Sequence, residues 1–373
     1  MKTYCYKLYN NKNLKYLNNQ INIAGNIYNY CINMYKMYYK LYGKSLNIFQ
    51  LQKHLTKKKK YFKYWNELNS QTIQDITDRI GRAYQLFFRN LKHKIKTAPP
   101  SFKKSKKYKS ITLKQTGYKL LENNKIKIQN KIFKYSKSRD IQGNIKIVTI
   151  KRDNLGGFYI YIVTDFVDSK PTMTGKSAGC DFGLKTFLTL SDNIKIESPL
   201  FYKQSQKKLK KSSQSLSSKK KGSNNRKKAI LNFARIHQKI YNKRKDHHFK
   251  LAKELTQDYD YLFFETLNLK AMQRLWGKKI SDLGFYSFLK ILESQGNKYN
   301  CKIHSIERFF PSSKLCSKCG QIKKDLKLSD RIYKCDCGLE IDRDLNASLN
   351  ILREGASSLG VEFVRPAIVG KFC

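Results

Sequence analysis

Three carboxylates constrain this chain more than anything else in it. Each adjoins apolar residues, in the runs Gly179-Cys180-Asp181-Phe182-Gly183-Leu184, Tyr261-Leu262-Phe263-Phe264-Glu265-Thr266-Leu267 and Asp342-Arg343-Asp344-Leu345-Asn346-Ala347. An acid beside a buried strand costs several kcal/mol unless something pairs with it. The formal net charge is +49, so three such acids imply one shared cationic partner. Hard divalent ions suit carboxylate oxygens, and Mg²⁺ on a carboxylate cluster is what metal-assisted phosphodiester hydrolysis requires. Taken singly, each acid has a plainer reading. Asp181 could be a turn residue before Gly183, Glu265 a strand-end acid meeting a lysine, and Asp344 a helix N-cap.

The charge narrows the partner. Lys and Arg number 76 against 27 Asp and Glu, and self-repulsion of that size opposes compaction unless a polyanion neutralises it. Nucleic acid fits best, because 25 Tyr and 21 Phe add faces for base stacking. An AT-rich genome would explain the many Asn and Tyr codons but not the shortage of acids. Lys57, Lys58, Lys59 and Lys60 lead into Tyr61, Tyr64 and Trp65, a candidate nucleic-acid contact patch; the alternative is a solvated loop. No apolar run opens the chain and no segment is apolar enough to span a bilayer, so neither a signal peptide nor a membrane partner is expected.

Periodicity organises the rest. Residues 2–9 read as a strand. Ala24, Ile27, Cys31, Tyr35 and Tyr38 mark a helix from Asn19 to Tyr42, and a second runs from Ile48 to His54. Ser70 is placed as the cap of a third, ended by Thr97-Ala98-Pro99-Pro100. Strands are expected at 125–129, 131–135, 145–151 and 158–165, the last two as a hairpin around Asn154-Leu155-Gly156-Gly157. Together with the first strand they suggest a small barrel interrupted by a helical insert; two unrelated small domains are the alternative. From Lys176 onward come strands at 177–181, 186–190, 194–197, 261–264 and 301–309. Helices are expected at 285–292 and 346–352. Residues 201–245 carry sixteen Lys/Arg and no acid; the first half, with Ser212–Ser223, reads as a mobile linker and the second half as helix. That order describes a mixed α/β sheet of RNase H-like type with Asp181 on its first strand and a site at the strand ends.

Of nine cysteines, four cluster as Cys316-x-x-Cys319-Gly and Cys335-x-Cys337-Gly, fifteen residues apart. Two such knuckles can close a tetrahedral four-thiolate zinc site, structural because no coordination position stays open. The count and clustering favour a reducing compartment over a disulfide framework. Cys5, Cys31, Cys180, Cys301 and Cys373 read as core or incidental residues.

In chain order, the Gly-x-Asp-x-Gly-like motif at Asp181, the Glu-x-Leu-Asn strand end at Glu265, the Ser-Ser-Lys-x-Cys-x-x-Cys-Gly ribbon and the Asp-Arg-Asp-x-Asn-Ala-x-x-Asn-Ile helix follow a basic amino half. This layout resembles the TnpB proteins of insertion sequences, relatives of type V CRISPR effectors. The resemblance is specific from Ser177 to Leu352 and loose before that. It implies a multidomain α+β chain. A wedge-like β-barrel (1–18 and 97–175) would carry an inserted helical recognition domain (19–96). A RuvC/RNase H-like α/β nuclease domain (176–312 and 339–356) would carry an inserted zinc ribbon (313–338), with a tail at 357–373.

The resemblance further implies an RNA-guided DNA endonuclease encoded by a transposon. Asp181, Glu265 and Asp344 would be its catalytic acids and hold two Mg²⁺ ions, with Mn²⁺ as a substitute. Asp344 is preferred to Asp342 because it stands two residues before the Asn of Asp-x-Asn-Ala. Cys316, Cys319, Cys335 and Cys337 would hold Zn²⁺. Partners would be a guide RNA derived from the transposon end and target double-stranded DNA, met in a prokaryotic cytoplasm at the nucleoid. Alternatives are an RNA-guided repressor that binds without cutting and an RNA-independent RuvC-like nuclease.

Overall fold

A computed structural model of the chain describes residues 1–327 and 329–361. Cys373 and the tail beyond residue 361 lie outside the described residues. The chain divides into two compact units, Met1–Asp168 and the part from Ser169 onward.

In the first unit, strand β1 (Lys2–Lys7) precedes three helices, α1 (Leu14–Tyr42), α2 (Ile48–Lys58) and α3 (Ser70–Lys92). Six strands follow: β2 (Ser110–Leu113), β3 (Tyr118–Leu121), β4 (Lys125–Ile128), β5 (Lys131–Lys134), β6 (Ile145–Arg152) and β7 (Phe158–Thr164). They form two antiparallel sheets, β1-β7-β6-β2 and β3-β4-β5. The continuation of β1 joins them: Leu8 bridges Tyr135, and the Tyr9 amide donates to the Lys134 carbonyl at 2.9 Å. The β6–β7 hairpin turns as its sequence demands. Gly156 takes φ +84°, and Asp153 accepts from the amides of Leu155 and Gly157.

One hydrophobic core runs from Tyr4 and Ile160 in the sheet to Ile27, Leu51 and Ile76 in the helices. The helical insert is therefore packed on the sheet and not separately cored. Arg152 fastens it further, donating to Asn18 and Asn22 of α1 and to the carbonyls of Ser105 and Tyr108.

Three local expectations are corrected. The cap of α3 is Asn69, whose side chain accepts from the Gln71 amide; Ser70 is the first helical residue. Helix α1 starts five residues earlier than its apolar stripe indicated, because Leu17 is buried too. Helix α2 continues through Lys58, since lysine tolerates a solvent-facing last turn and favours its dipole.

The second unit is built on a five-stranded sheet in the order β10-β9-β8-β11-β12. Its strands are β8 (Ser177–Asp181), β9 (Thr186–Leu190), β10 (Lys195–Glu197), β11 (Tyr261–Glu265) and β12 (Lys302–Ile306). The first three form an antiparallel meander, while β11 and β12 run parallel to β8. Helices α4 (Phe201–Ser217), α5 (Asn224–Asp258), α6 (Leu269–Leu283) and α7 (Phe285–Tyr299) connect the strands. A second hairpin, β13 (Ile332–Lys334) with β14 (Glu340–Asp342), leads into α8 (Arg343–Leu359).

The segment expected as a mobile linker is helical through Ser217. Lysines are good helix formers, and Leu209 and Ser212 are buried. Ser223 then caps α5 by accepting from the Arg226 amide. Helix α6, with non-helical backbone at Trp276, had no clear apolar period and went unread. Among the described residues, no helix is long and apolar enough to cross a membrane.

Helix α8 lies unusually close to the sheet, and two glycines allow it. A Cβ on Gly179 of β8 would fall on the Ser348 carbonyl and the Leu352 amide, and one on Gly355 would fall on the Phe263 ring. Backbone cannot yield as a flexible side chain can. Gly179→Ala is therefore expected to cost at least ~3 kcal/mol, as overpacking against backbone does. Urea unfolding of the purified variant measures this; a loss under ~1 kcal/mol would show that α8 can move away.

A candidate metal-dependent nuclease site

The strand order brings the sequence-predicted acids together. β8 and β11 are parallel neighbours in the register Ser177↔Tyr261 through Cys180↔Phe264. Asp181 and Glu265 are the last residues of those strands, so they end side by side at one sheet edge, with strands ~4.8 Å apart. The residues before them, Ala178, Cys180, Leu262, Phe263 and Phe264, are buried, which fixes both strands and leaves the two acids half-buried at the rim. Asp344 arrives in the first turn of α8, on the helix whose Ser348 abuts Gly179 two residues before Asp181.

The electrostatics agree with convergence. Burial pushes the Asp181 carboxyl up to about 7, and the charges of Asp344 and Glu265 push the same way, against a smaller opposing pull from Arg343. Burial also raises Glu265, with a hydrogen bond from Ser312 pulling it back. A carboxylate disfavoured by burial and by neighbouring like charge, as Asp181 is, is relieved by a bound cation. Three hard oxygen donors with open solvent access fit Mg²⁺, which keeps several waters and tolerates few protein ligands. Their ligand oxygens do not all draw within 4.8 Å of one another.

Asp342 is committed elsewhere. Its side chain accepts from the amides of Asp344 and Leu345, capping α8, and pairs with Lys195 at 2.8 Å. Burial raises its carboxyl, but Lys195 and those amides outweigh it and hold the group below the usual range. So the N-cap role that the sequence offered to Asp344 falls to Asp342, and Asp344 is free to face the strand ends. Asp342→Asn is expected to cost about 1 kcal/mol of stability and to leave cleavage within ~10-fold of the parent, a cap effect. Side-by-side denaturation and cleavage assays check it; loss of cleavage as complete as for an Asp344 variant would move the third acid to position 342.

The four cysteines of the ribbon also converge. Among the described residues, they form the one group of three or more metal-ligating side chains whose ligand atoms all lie within 4.8 Å. Cys316 Sγ lies 3.6 Å from Cys337 Sγ, and Cys319 Sγ 3.6 Å from Cys335 Sγ. Zn–S bonds of ~2.3 Å in a tetrahedron put sulfurs ~3.8 Å apart, so the set could hold a zinc ion. The shorter Cys335-x-Cys337 spacing does not open it. Gly320 at φ +78° and Gly338 at φ +84° turn the chain after each pair. The amides of Cys319 and Lys318 hold the Cys316 thiol down to about 7 against the opposing push of burial.

The basic patch is only partly a surface. Tyr61 and Tyr64 are exposed, and Lys58 Nζ lies over the Tyr61 ring at 5.2 Å. Trp65 is 2% exposed, stacked on Phe62 and edge-on to Tyr30. It belongs to the core, because a short 3₁₀ turn over Lys63–Glu67 points it inward. No base could reach its face. Lys57 and Lys58 sit on the last turn of α2, with Lys59 and Lys60 just beyond. Lys195 and Ser312 were missed in the sequence. Nothing local marks Lys195 as the partner of Asp342, and Ser312 was visible only as part of the ribbon motif.

Two family models match in succession: OrfB_IS605, described as "Probable transposase", over residues 159–275, and "Cas12f1-like, TNB domain" over residues 285–351. A "Putative RNA-guided DNA endonuclease" of Streptomyces pristinaespiralis is 31% identical over 59% of this chain and 55% of its own length. "TnpB-like protein L79" of Acanthamoeba polyphaga mimivirus is 31% identical over 56% of this chain and 43% of its own. These matches make the chain similar to TnpB proteins and to proteins named as RNA-guided endonucleases.

The "Putative RNA-guided DNA endonuclease InsQ" of Escherichia coli (strain K12) is 27% identical over 78% of this chain and 75% of its own length. The chain spans about half the length of the Streptomyces and mimivirus relatives. Among solved structures, the "Cryo-EM structure of the Cas12f1-sgRNA-target DNA complex" aligns with TM-score 0.60 at 15% identity, covering 90% of this chain and 82% of that one, a likeness of fold.

Proposed function

We propose that this chain is an RNA-guided DNA endonuclease of the TnpB family whose RuvC/RNase H-like site is Asp181, Glu265 and Asp344. The observation that carries this is the ending of parallel neighbours β8 and β11 on two acids, beside the first turn of α8, where Asp181 is pushed up by burial and then by the charges of the other two. The meander-plus-parallel order β10-β9-β8-β11-β12 is the order expected of an RNase H-like sheet. Relatives named as RNA-guided endonucleases support the guided reading.

Bound Mg²⁺ would activate water and neutralise charge on the leaving oxygen. The chain's own part is geometric. The buried strands hold Asp181 and Glu265 at fixed spacing, and Asp342 and Lys195 anchor the turn that presents Asp344. Ser312 orients Glu265. The two sheets of the first unit would serve as the wedge-like barrel and α1–α3 as the recognition helices, binding guide RNA and the target's flanking motif. Helices α4 and α5, cationic and without acids through Lys245, offer a second phosphate-binding surface. In such systems base pairing reads the target, and the protein holds backbone. A repressor reading would need one of the three acids missing from the sequence, and all three are present.

Sequencing the RNA that copurifies with protein expressed beside its native flanking DNA tests the guided reading. The expected result is a discrete species ending in a variable segment, bound with an affinity that falls ~10³-fold or more between 50 and 200 mM salt. Random RNA, or a flat salt dependence, would contradict it.

A further inference from the structure

The candidate nuclease acids and the cysteine site meet on one helix. Strand β14 of the ribbon hairpin runs directly into α8, whose first turn carries Asp344. Two residues on, Asn346 is fully buried. Its Nδ2 donates to the Leu315 carbonyl at 2.7 Å, and its Oδ1 accepts from the Ser317 amide at 3.0 Å. Those are the two neighbours of Cys316, so one amide grips the first zinc knuckle from both sides. On the other limb of the ribbon, the Arg343 backbone amide donates to the Arg331 carbonyl and its guanidinium to the Lys327 carbonyl, both at 2.9 Å. Asp344 thus stands on a turn held to both limbs. One turn further, Asn350 Nδ2 donates to the carbonyls of Ser312 and Leu315, while its Oδ1 makes no hydrogen bond.

We propose that Asn346 is a positioning residue: by clamping the Cys316 knuckle to α8, it makes metal occupancy of the four thiolates set the placement of Asp344 at the carboxylate site. The proposal rests on the reading of the three acids as a divalent-cation site. The physical argument is the cost of release. A buried amide with both ends engaged cannot let go without stranding its own polar atoms and those of the knuckle. A knuckle folded around zinc therefore holds the turn, and a knuckle without zinc has no cross-link to hold it in register. Such coupling is reciprocal: whatever factor zinc adds to cation affinity at the acids, the cation must add to zinc affinity.

The test uses the full chain, zinc-loaded and zinc-stripped, with Mn²⁺ as the probe. Free Mn²⁺ is read by its paramagnetic resonance signal, and Asp181→Asn defines which binding belongs to the acids. Stripping zinc is expected to weaken the Asp181-dependent Mn²⁺ site ~10-fold, the scale of outer-shell effects on metal affinity. Asn346→Ala in zinc-loaded protein should reproduce most of that loss. Ser358→Ala, on the same helix but bonded to His304 and the Gly355 carbonyl and to no ribbon residue, should stay within ~2-fold. Mn²⁺ should in turn slow zinc extraction by a chelator in the parent protein and not in Asn346→Ala.

The stripped-versus-loaded comparison needs no asparagine variant, so it decides even if Asn346→Ala folds poorly. Asp181-dependent Mn²⁺ binding that is the same with and without zinc overturns the coupling and leaves the nuclease reading standing. Equal weakening by Asn346→Ala and Ser358→Ala also overturns it, since that marks a general effect on the helix. Absence of any Asp181-dependent Mn²⁺ binding removes the cation site itself, and the coupling with it.

Discussion

Asp181→Asn is expected to abolish DNA cleavage, by ~10³-fold or more, while the metal-free protein becomes more stable. Both follow from one fact: the Asp181 carboxyl is pushed up to about 7 by burial and by Asp344 and Glu265. A ligand lost from a carboxylate site removes cation binding, and the neutral amide offers no substitute charge. The stability change has a definite sign. The native state holds this proton more tightly than the unfolded chain, whose carboxyl titrates near the ordinary value of 3.8. Stability from it is complete below that value and is lost as pH rises toward about 7. Above 7 the metal-free protein carries an unfavourable charge, which Asn does not. The gain should be about 1–3 kcal/mol at pH 8 after discount for solvent screening, and should vanish as pH falls to 4. Melting temperatures of parent and variant across that range, without and with Mg²⁺, measure it. Mg²⁺ should raise the melting temperature of the parent only. A variant that is destabilised at pH 8 would mean that something other than mutual repulsion sets the Asp181 environment.

Removing the ribbon metal is the second large effect. Structural zinc on thiolates contributes on the order of 10 kcal/mol of local folding free energy. The ribbon has little else to hold it: its hairpin pairs only three residues on each side, and Tyr333 is its one fully buried large side chain. Cys316→Ser, which alters the buried member of the set, should therefore lose stoichiometric zinc and expose residues 313–338 to protease, with the five-stranded sheet retained. Metal content and limited proteolysis report this directly. Undiminished zinc in the variant would refute the four-thiolate site.

Much of this was legible in the sequence, for physical reasons that differ by element. Strands β8 and β11 were readable because apolar runs ending on an acid have few other places to go. The ribbon was readable because Cys-x-x-Cys-Gly fixes both ligand and turn, and the tighter second pair still closes. The β6–β7 hairpin was readable from its Asn-x-Gly-Gly turn. What failed was context. Periodicity cannot tell a cationic helix from a cationic linker, so Ser212–Ser217 was misread. Trp65 was grouped with its basic neighbours, although a 3₁₀ turn buries it under Tyr30. Likewise, the preference for Asp344 over Asp342 rested on the Asp-x-Asn-Ala motif alone, and the physical reason, Lys195 pairing with Asp342, lies far away in sequence.

The most direct test is cleavage of a plasmid carrying a sequence matched to the copurified guide, by the purified protein–RNA complex, with and without Mg²⁺. The account predicts cutting at the matched site that needs both RNA and Mg²⁺ and disappears in Asp181→Asn. Cutting that persists without RNA, or in the Asp181 variant, would contradict it.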